Sequence, residues 1–272
     1  MGNAATKARE AKSKPKNNRG VQQQKLRTAQ ATGVLALVDS KLKQLPPALL
    51  ALSALRTLDV SGNRLDALPP QLGGLAALKT LKVSSNVLAT LPDLSSLTAL
   101  ATLVLDGNVL EDLPHPLPPN VTKLSLRGNR LSTLPRSVLN LGKLQELDLS
   151  ENALETLPAN LGELQQLQEL NVDGNRLTEL PAALARCAKL KVLSARRNRL
   201  VGQSAGAKAQ PIAAELLEDS AVQVMNLEGN PLTKEDLQRM DGFDAFLTRR
   251  TELKNKEIHG GLNSDLSLCG LE

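Results

Sequence analysis

The sequence is dominated by a repeat whose most regular position is an asparagine. These asparagines follow one another at spacings of 23, 22, 21, 23, 23, 23 and 32 residues. Around the first six of them lies the pattern L-x-x-L-x-L-x-x-N-x-L-x-x-L-P, with Val at some leucine positions, as in the run from Leu55 to Pro69. A fixed period of this length indicates a solenoid, because each repeat can bury its leucines only by stacking on its neighbours. The asparagines are Asn63, Asn86, Asn108, Asn129, Asn152, Asn175, Asn198 and Asn230.

Each repeat predicts one short strand, a turn and a return segment. Leu58 and Val60 should point inward and their polar neighbours outward, because strand side chains alternate. An asparagine amide, with its donors and acceptor, can satisfy backbone groups that turn inward after the strand. The return segments start with Leu-Pro, which predicts a turn or short helix, whereas the four prolines of 113–119 predict extended backbone. The predicted fold is an α/β solenoid with a parallel concave sheet, short helical or extended convex segments and a C-terminal helical cap.

Both ends of a solenoid need caps. Residues 34–42 keep the frame of a first coil, and residues 222–232 form a last, degenerate one. Thr233 to Asp236 resembles a helix capping box. An amphipathic helical face should follow, formed by Leu237, Met240, Phe243 and Leu247.

Charge and composition divide the 272 residues into three parts. The first 30 residues hold eight basic side chains and one acidic side chain, while the whole chain has a net charge of +5. We expect residues 1–27 to be a disordered basic arm, because they contain little that could pack. Residues 28–256 should form the solenoid with its caps and a loop inserted at 201–220, and residues 257–272 a flexible tail.

Composition also limits the chemistry. The chain has only two cysteines and two histidines, so few side chains are available as metal ligands or as acid–base catalysts. We therefore expect no enzymatic activity, no cofactor and no metal site. The two cysteines fit a reducing compartment, and neither a membrane span nor a secretory signal is expected. We therefore expect a cytoplasmic location, and separately we expect a monomer.

Two motifs are interpreted as coincidental, and one cysteine as part of the core. Gly202 to Gly206 fits G-x-S-x-G, but an inserted loop lacks the strand-to-helix elbow of a hydrolase. Cys269 is the fourth residue from the end, which is the position of a prenylated cysteine, but a final glutamate such as Glu272 is a poor prenylation signal. Cys187 occupies a leucine position of the repeat, which favours a buried, inert thiol.

The repeats, together with residues 1–3, 28–34, 230–232 and 240–246, resemble the leucine-rich repeat superfamily. The terminal segments are most similar to small members of that superfamily. This resemblance implies an N-myristoylated, membrane-associated protein without known catalytic activity.

The first six residues, Met1 to Thr6, match the myristoylation pattern M-G-x-x-x-[ST], with Gly2 as the acceptor. A single myristoyl chain binds membranes only marginally, so a second signal is needed. Basic residues supply one by attraction to anionic lipid, and phosphorylation of Ser13 among them would weaken it. A nucleic-acid role for the arm is disfavoured because no aromatic residue is present there to stack on a base. The expected membrane-contacting residues are Lys7, Arg9, Lys12, Lys14, Lys16 and Arg19.

The remaining candidate site is a charged strip on the concave face. Carboxylates of two neighbouring repeats should form an acidic patch between basic residues, an arrangement that favours electrostatic steering of a partner. We predict a protein-interaction scaffold, with a regulatory subunit of a phosphatase or small GTPase as the alternative. The predicted partner-binding residues are Lys123, Arg127, Glu146, Asp148, Glu151, Glu169, Asp173, Arg196 and Arg197.

Overall fold

A computed structural model describes residues 19–206, 210–260 and 269–271. Within these ranges the chain forms one sheet of nine parallel strands that follow chain order. Each strand βn opens the coil that carries the same number. The strands are β1 (Val34–Ala36), β2 (Thr57–Asp59), β3 (Thr80–Lys82), β4 (Thr102–Val104), β5 (Lys123–Ser125), β6 (Glu146–Asp148), β7 (Glu169–Asn171), β8 (Val192–Ser194) and β9 (Val224–Asn226).

The alternation predicted for the strands is confirmed. Leu58 and Val60 are fully buried, and the middle residue of each described strand points into the core. Strands pair in register, so Leu58 stacks on Leu81 and Leu81 on Leu103. The core is therefore a series of leucine columns that runs the length of the solenoid, and the predicted fold class is correct.

The asparagine ladder is also confirmed. Asn175 accepts a hydrogen bond from the Leu154 backbone N–H at 3.0 Å and donates to the carbonyl oxygens of Leu149 and Val172 at 3.0 and 2.9 Å. Each ladder asparagine thus joins its own coil to the preceding one. Since backbone groups there are buried, these bonds replace those that water would make.

Short helical turns form most of the convex side. The 3₁₀ segments are Pro47–Ala51, Pro70–Gly74, Ala159–Glu163, Ala182–Arg186 and Gln203–Ala205, and the α-helices of the repeats are α2 (Arg136–Leu139) and α3 (Ala214–Glu218). Residues 113–119 contain no helix, as their prolines predict.

The predicted extent of the insertion, residues 201–220, is wrong. Ile212 forms a β-bridge with Leu180, and α3 packs against the turn Ala182–Arg186 of coil 7. Residues from 212 onward therefore make the ordinary return segment of coil 8, with Ile212 in a leucine position. The additional residues lie between Leu200 and Ile212, in agreement with an asparagine spacing of 32 rather than 23.

The predicted boundary of the arm at residue 27 is also wrong. Helix α1 (Arg19–Thr32) includes residues 19–27. It forms because Ala29 is buried and Leu26 packs against the core at the edge of β1. The Arg56 guanidinium donates to the Thr32 carbonyl at 3.0 Å and so caps the helix C-terminus.

The C-terminal cap differs in two respects. The predicted capping box is present, but the chain breaks at Gly242 (φ 86°) into α4 (Lys234–Gln238) and α5 (Phe243–Gly260). The break changes the helical phase, so Phe246 is fully buried while Leu247 is 39% exposed, contrary to the predicted face. The tail expected to be flexible begins within α5. Farther along it, Cys269 is buried and accepts a hydrogen bond from Leu227 N–H at 2.9 Å.

Candidate protein-interaction surface

The nine predicted partner-binding residues lie on coils 5 to 8, and we call them the charged strip. The strand register aligns Lys123, Glu146 and Glu169 in one column that ends at Val192. A second column contains Ser125, Asp148, Asn171 and Ser194 in the same order. The structure thus brings most of these side chains onto one face, while their role in binding stays a prediction.

A shallow hollow of about 320 Å³ opens between these columns. Its walls carry three carboxylates and one ammonium group, and so a net charge of −2 at neutral pH. Its floor is the strand backbone at Leu124, Leu147 and Leu170, whose side chains point into the core, and Val192 adds an apolar edge. The principal lining residues are Lys123, Glu146, Asp148, Glu169, Asn171 and Val192.

The carboxylates of the strip lie on coils 6 and 7, between cations on coils 5 and 8. Lys123 Nζ forms a hydrogen-bonded ion pair with Glu146 on the next strand, and this bond raises the pKa of Lys123. Arg197 Nη2 lies 3.3 Å from Glu151 Oε1, and Arg196 Nε lies 3.9 Å from Glu228 Oε2. Three of the cations therefore already have carboxylate partners, a pairing that the sequence did not predict.

The remaining carboxylates differ in their partners. Asp148 accepts from Ser150 N–H at 2.8 Å, and Asp173 accepts from Ser194 Oγ and Arg196 N–H, both at 2.7 Å. Glu169 is exposed, and within the described part of the chain its carboxylate has no hydrogen bond or ion pair. It is therefore the carboxylate of the strip most available to an incoming cation.

Two further residues lie beside the strip, and sequence reasoning missed the first of them, Asp106. Asp106, one coil before Lys123, accepts from Ser125 Oγ at 2.5 Å and from Arg127 N–H at 3.1 Å. Burial raises the pKa of Asp106 above its ordinary value. The Ser150 hydroxyl is buried and has no hydrogen-bond partner. Both lie in the column of strand-end residues that also contains Arg127, Asp173 and Arg196. The repeat frame predicts which residues belong to this column.

The G-x-S-x-G segment has a structural explanation. Ser204 donates from its backbone N–H and from Oγ to the Asp236 carboxylate, at 2.9 and 2.6 Å. Asp236 also caps α4 through Thr233. Ser204 thus connects the inserted loop to the C-terminal cap.

Some of the predictions about chemistry concern residues that the structure describes, and others do not. Cys187 is fully buried, and desolvation raises the pKa of its thiol to about 11. Within the described ranges no group of three or more His, Cys, Asp or Glu side chains could hold a metal ion, and no helix is long and apolar enough to cross a membrane. Arg19 starts α1, whereas the other arm residues lie outside the described residues: Gly2, Lys7, Arg9, Lys12, Lys14 and Lys16.

Comparison with known proteins identifies the repeats. Residues 53–110 and 119–177 match the family model described as leucine rich repeat. The chain folds as a leucine-rich repeat solenoid. This architecture suggests protein–protein interaction and is typical of non-catalytic modules. No curated protein matches the sequence.

Solved structures share the solenoid. The ectodomain of the plant membrane receptor kinase GASSHO1/SCHENGEN3 from Arabidopsis thaliana, in complex with Casparian strip integrity factor 2, is 31% identical over 72% of this chain (TM-score 0.55). A TDR receptor is 26% identical over 72% of the chain (TM-score 0.58). The functional domain of InlJ from Listeria monocytogenes is 24% identical over 78% (TM-score 0.53), a likeness of fold alone. The chain spans 24%, 34% and 48% of these three structures.

Proposed function

We propose that the chain is a non-catalytic, membrane-tethered scaffold that binds a partner protein through the concave face of coils 5 to 8. The hollow beside Glu169 carries this proposal, because it combines a net negative wall, an apolar edge at Val192 and a carboxylate without a partner in the described structure. Such a surface suits a basic or polar segment of another protein. No aromatic residue lies on the described strands, so the interface lacks the rings that dominate very tight complexes.

The tether is proposed from the sequence. Gly2 follows the myristoylation pattern, and the basic residues after it supply the second membrane signal that one acyl chain needs. The terminal segments also resemble leucine-rich repeat-containing protein 57, which supports a lipid-anchored, peripheral protein at a cytoplasmic membrane surface. The same concave face would serve a regulatory subunit of a phosphatase or small GTPase, and the identity of the partner decides between the two.

Charge reversal tests the binding surface. Glu169→Lys should abolish or strongly reduce capture of the partner, because it places a cation beside Lys123 in the hollow. Glu155→Lys is the matched control, since Glu155 is exposed and lies outside the strip. The loss should be larger at low salt, because salt screens exposed charges. Equal capture by wild type and both variants at low salt would show that the strip is ordinary surface.

Labelling tests the tether separately. A myristate analogue supplied to cells should label the wild type and not Gly2→Ala. Replacement of Lys12, Lys14 and Lys16 by Gln should leave the label in place and lower membrane retention. Labelling that is equal in wild type and Gly2→Ala, or absent from both, contradicts the lipid anchor.

A further inference from the structure

The N-terminal end of the solenoid, formed by α1 and coil 1, is the basic part of the folded chain. Residues 19–56 hold six basic side chains and one acidic side chain, a net charge of +5. Residues 57–272 hold 22 basic and 26 acidic side chains, a net charge of −4. The helical cap at the other end, residues 233–260, holds six of each sign. Charge therefore distinguishes the first end of the solenoid from the rest of it.

Basic side chains at this end face solvent. Arg27 lies two positions before the buried Ala29, which places it on the opposite side of α1. Lys41 and Lys43 follow β1 in coil 1, and both are exposed. Within the described ranges none of these three cationic side chains has a hydrogen bond or an ion pair. They are therefore available to an anionic surface.

Exposed aliphatic side chains accompany this charge. Five large hydrophobic side chains are exposed in the described part of the chain, and three of them lie here: Val21, Val34 and Val38. Val34 and Val38 point outward with the exposed Ala36 between them, whereas the residues that β2 aligns with Val34 and Ala36 are polar. The first strand thus presents an apolar row that the next strand does not continue.

Helix α1 brings Val21 to the same row. Val21, Lys25 and Thr32 follow one another at spacings of four and seven residues, so they share one side of the helix. Lys25 Nζ donates to the Ala36 carbonyl at 2.9 Å, and Thr32 Oγ1 accepts from Val34 N–H at 3.3 Å. This side of α1 therefore adjoins the edge of β1, and aliphatic and basic groups occur together on it.

A lipid surface with anionic headgroups matches this combination. Cations attract the headgroups, and aliphatic side chains among them enter the headgroup layer. A protein partner is matched less well, because residues 19–56 contain no aromatic residue and rings dominate tight protein interfaces. A nucleic acid backbone would use the cations but not the apolar row.

We propose that the N-terminal end of the solenoid rests on an anionic membrane, with Arg27, Lys41 and Lys43 at the headgroups and Val21 and Val34 among them. The inference rests on the proposed function, because it adds a folded contact to the membrane tether. At about 4.8 Å per strand, β5 and β8 lie about 19 and 34 Å from β1 along the sheet. The charged strip of coils 5 to 8 therefore stays clear of the lipid and remains open to a partner.

Flotation of the full-length, non-lipidated chain with vesicles tests the contact. Wild type should bind vesicles of equimolar phosphatidylserine and phosphatidylcholine and should not bind pure phosphatidylcholine. The end variant, which combines Arg27→Gln, Lys41→Gln and Lys43→Gln, should bind the phosphatidylserine vesicles at least about tenfold more weakly. Each basic residue near such a surface contributes roughly fivefold to binding.

The matched control removes the same charge from later coils. Its three cations are exposed and, like Lys41, follow the ladder position of their coils. Because they lie far from the first coil and salt screens exposed charges, their loss should weaken vesicle binding less than about twofold. The control substitutions are Arg130→Gln, Arg176→Gln and Arg199→Gln. Equal losses in the end variant and the control would show attraction by overall charge, and the inference would be wrong.

Two valines of similar exposure test the apolar contribution. Val34 is 50% exposed, and Val87, in coil 3, is 51% exposed. Val34→Ser should weaken binding to the phosphatidylserine vesicles about threefold, because its methyl groups no longer leave water on binding. Val87→Ser should leave binding unchanged. Amide hydrogen exchange on the same vesicles should slow in α1 and coil 1 and not in coils 5 to 8, and the opposite pattern contradicts the proposed orientation.

The inference and the tether can fail separately. If the end variant binds vesicles as wild type does, while replacement of Lys12, Lys14 and Lys16 by Gln abolishes binding, only the arm contacts lipid and the inference is wrong. A wild type that does not bind the phosphatidylserine vesicles also overturns it. If the end variant loses binding but a myristate analogue does not label the wild type in cells, the folded contact is supported and the lipid anchor is wrong.

Discussion

Arg197 and Glu151 form an ion pair at 3.3 Å although they belong to coils 8 and 6, with Gly174 of coil 7 between them. All three residues have a positive φ, of 50°, 56° and 64° for Arg197, Glu151 and Gly174. Glycine occupies this position of the repeat in several other coils, including Gly107 and Gly128. Non-glycine residues there are strained by about 1–3 kcal/mol each, so the charged pair is present at a measurable cost in stability.

Gly174→Ala should destabilise the fold and disrupt the ion pair. A Cβ at Gly174 would lie 3.0 Å from Glu151 Cδ, and the residue already has a left-handed backbone. We expect a loss of about 1–3 kcal/mol in the free energy of unfolding, measured by urea denaturation. Gly142→Ala is the control, because a Cβ there meets nothing within 4 Å. Equal stability of the two variants would mean that coil 7 accommodates a Cβ at residue 174 without strain.

The contact between Ser204 and Asp236 makes stability depend on pH. Hydrogen bonds from Ser204 hold the pKa of Asp236 well below its ordinary value. A carboxyl group whose pKa is lower in the folded than in the unfolded state stabilises the fold at pH values above its unfolded-state pKa, which is about 3.9. This stabilisation is lost as the pH falls from there towards the folded-state pKa. In Asp236→Asn an amide with one acceptor oxygen replaces the carboxylate, so it cannot accept all the hydrogen bonds that Ser204 Oγ and Thr233 N–H donate to Asp236. The substitution should lower stability by about 1.5–3 kcal/mol at neutral pH, and the difference from wild type should shrink below about pH 4.

Thermal melts at several pH values measure this effect, and Ser204→Ala supplies the graded comparison. That variant removes one hydroxyl donor and should lose about 1 kcal/mol. A difference between wild type and Asp236→Asn that is independent of pH down to pH 3 would show that the carboxylate form contributes nothing.

The repeat predicted the coils because the same physical requirement recurs at every turn. A leucine column and an inward-turning backbone are needed in each coil, so Asn175 and Leu58 could be assigned without coordinates. Sequence reasoning failed where a single coil departs from the period. Ile212 replaces a leucine and concealed the end of the insertion, and Gly242 shifts the phase that would have buried Leu247.

The strip could be located from the sequence, but its pairing could not. Strand alternation places Lys123 and Glu146 on the concave face, whereas their bond depends on the exact register between β5 and β6. The Arg197–Glu151 pair spans two coils and 46 residues, a separation at which no local pattern operates. Side-chain reach across a glycine, rather than residue type, decides that contact.

Cys187 should resist thiol reagents in the folded protein. Its thiol is buried, and a pKa of about 11 leaves roughly one molecule in a thousand as thiolate at pH 8. In the Cys269→Ser variant, which isolates Cys187, reaction with a disulfide reagent should be slow in buffer and complete in denaturant. Rapid reaction under native conditions would reveal local opening of coil 7.

Asn175→Ala should be far more damaging than Asn171→Ala, although the two residues lie four positions apart. Loss of the Asn175 amide leaves Leu154 N–H without its side-chain partner in the core, whereas the carbonyl oxygens of Leu149 and Val172 each lose one of two hydrogen bonds and keep the one from Asn152 or Asn198. At about 1–3 kcal/mol for the unsatisfied N–H and about 0.5–1.5 kcal/mol for each further hydrogen bond lost, the variant should lose about 2 kcal/mol or more. Because each coil contacts only its neighbours, amide hydrogen exchange should increase first in coils 6 and 7.

Asn171 is the matched control because it faces outward on β7. It accepts a hydrogen bond from Asp173 N–H at 3.0 Å and donates one to Asp148 Oδ2 at 3.4 Å, and water can replace both. We expect Asn171→Ala to lose less than about 1 kcal/mol and to leave the exchange pattern of coils 6 and 7 unchanged. Similar losses in the two variants would mean that the ladder amides contribute no more than surface ones, and the explanation of the asparagine repeat as backbone satisfaction would be wrong.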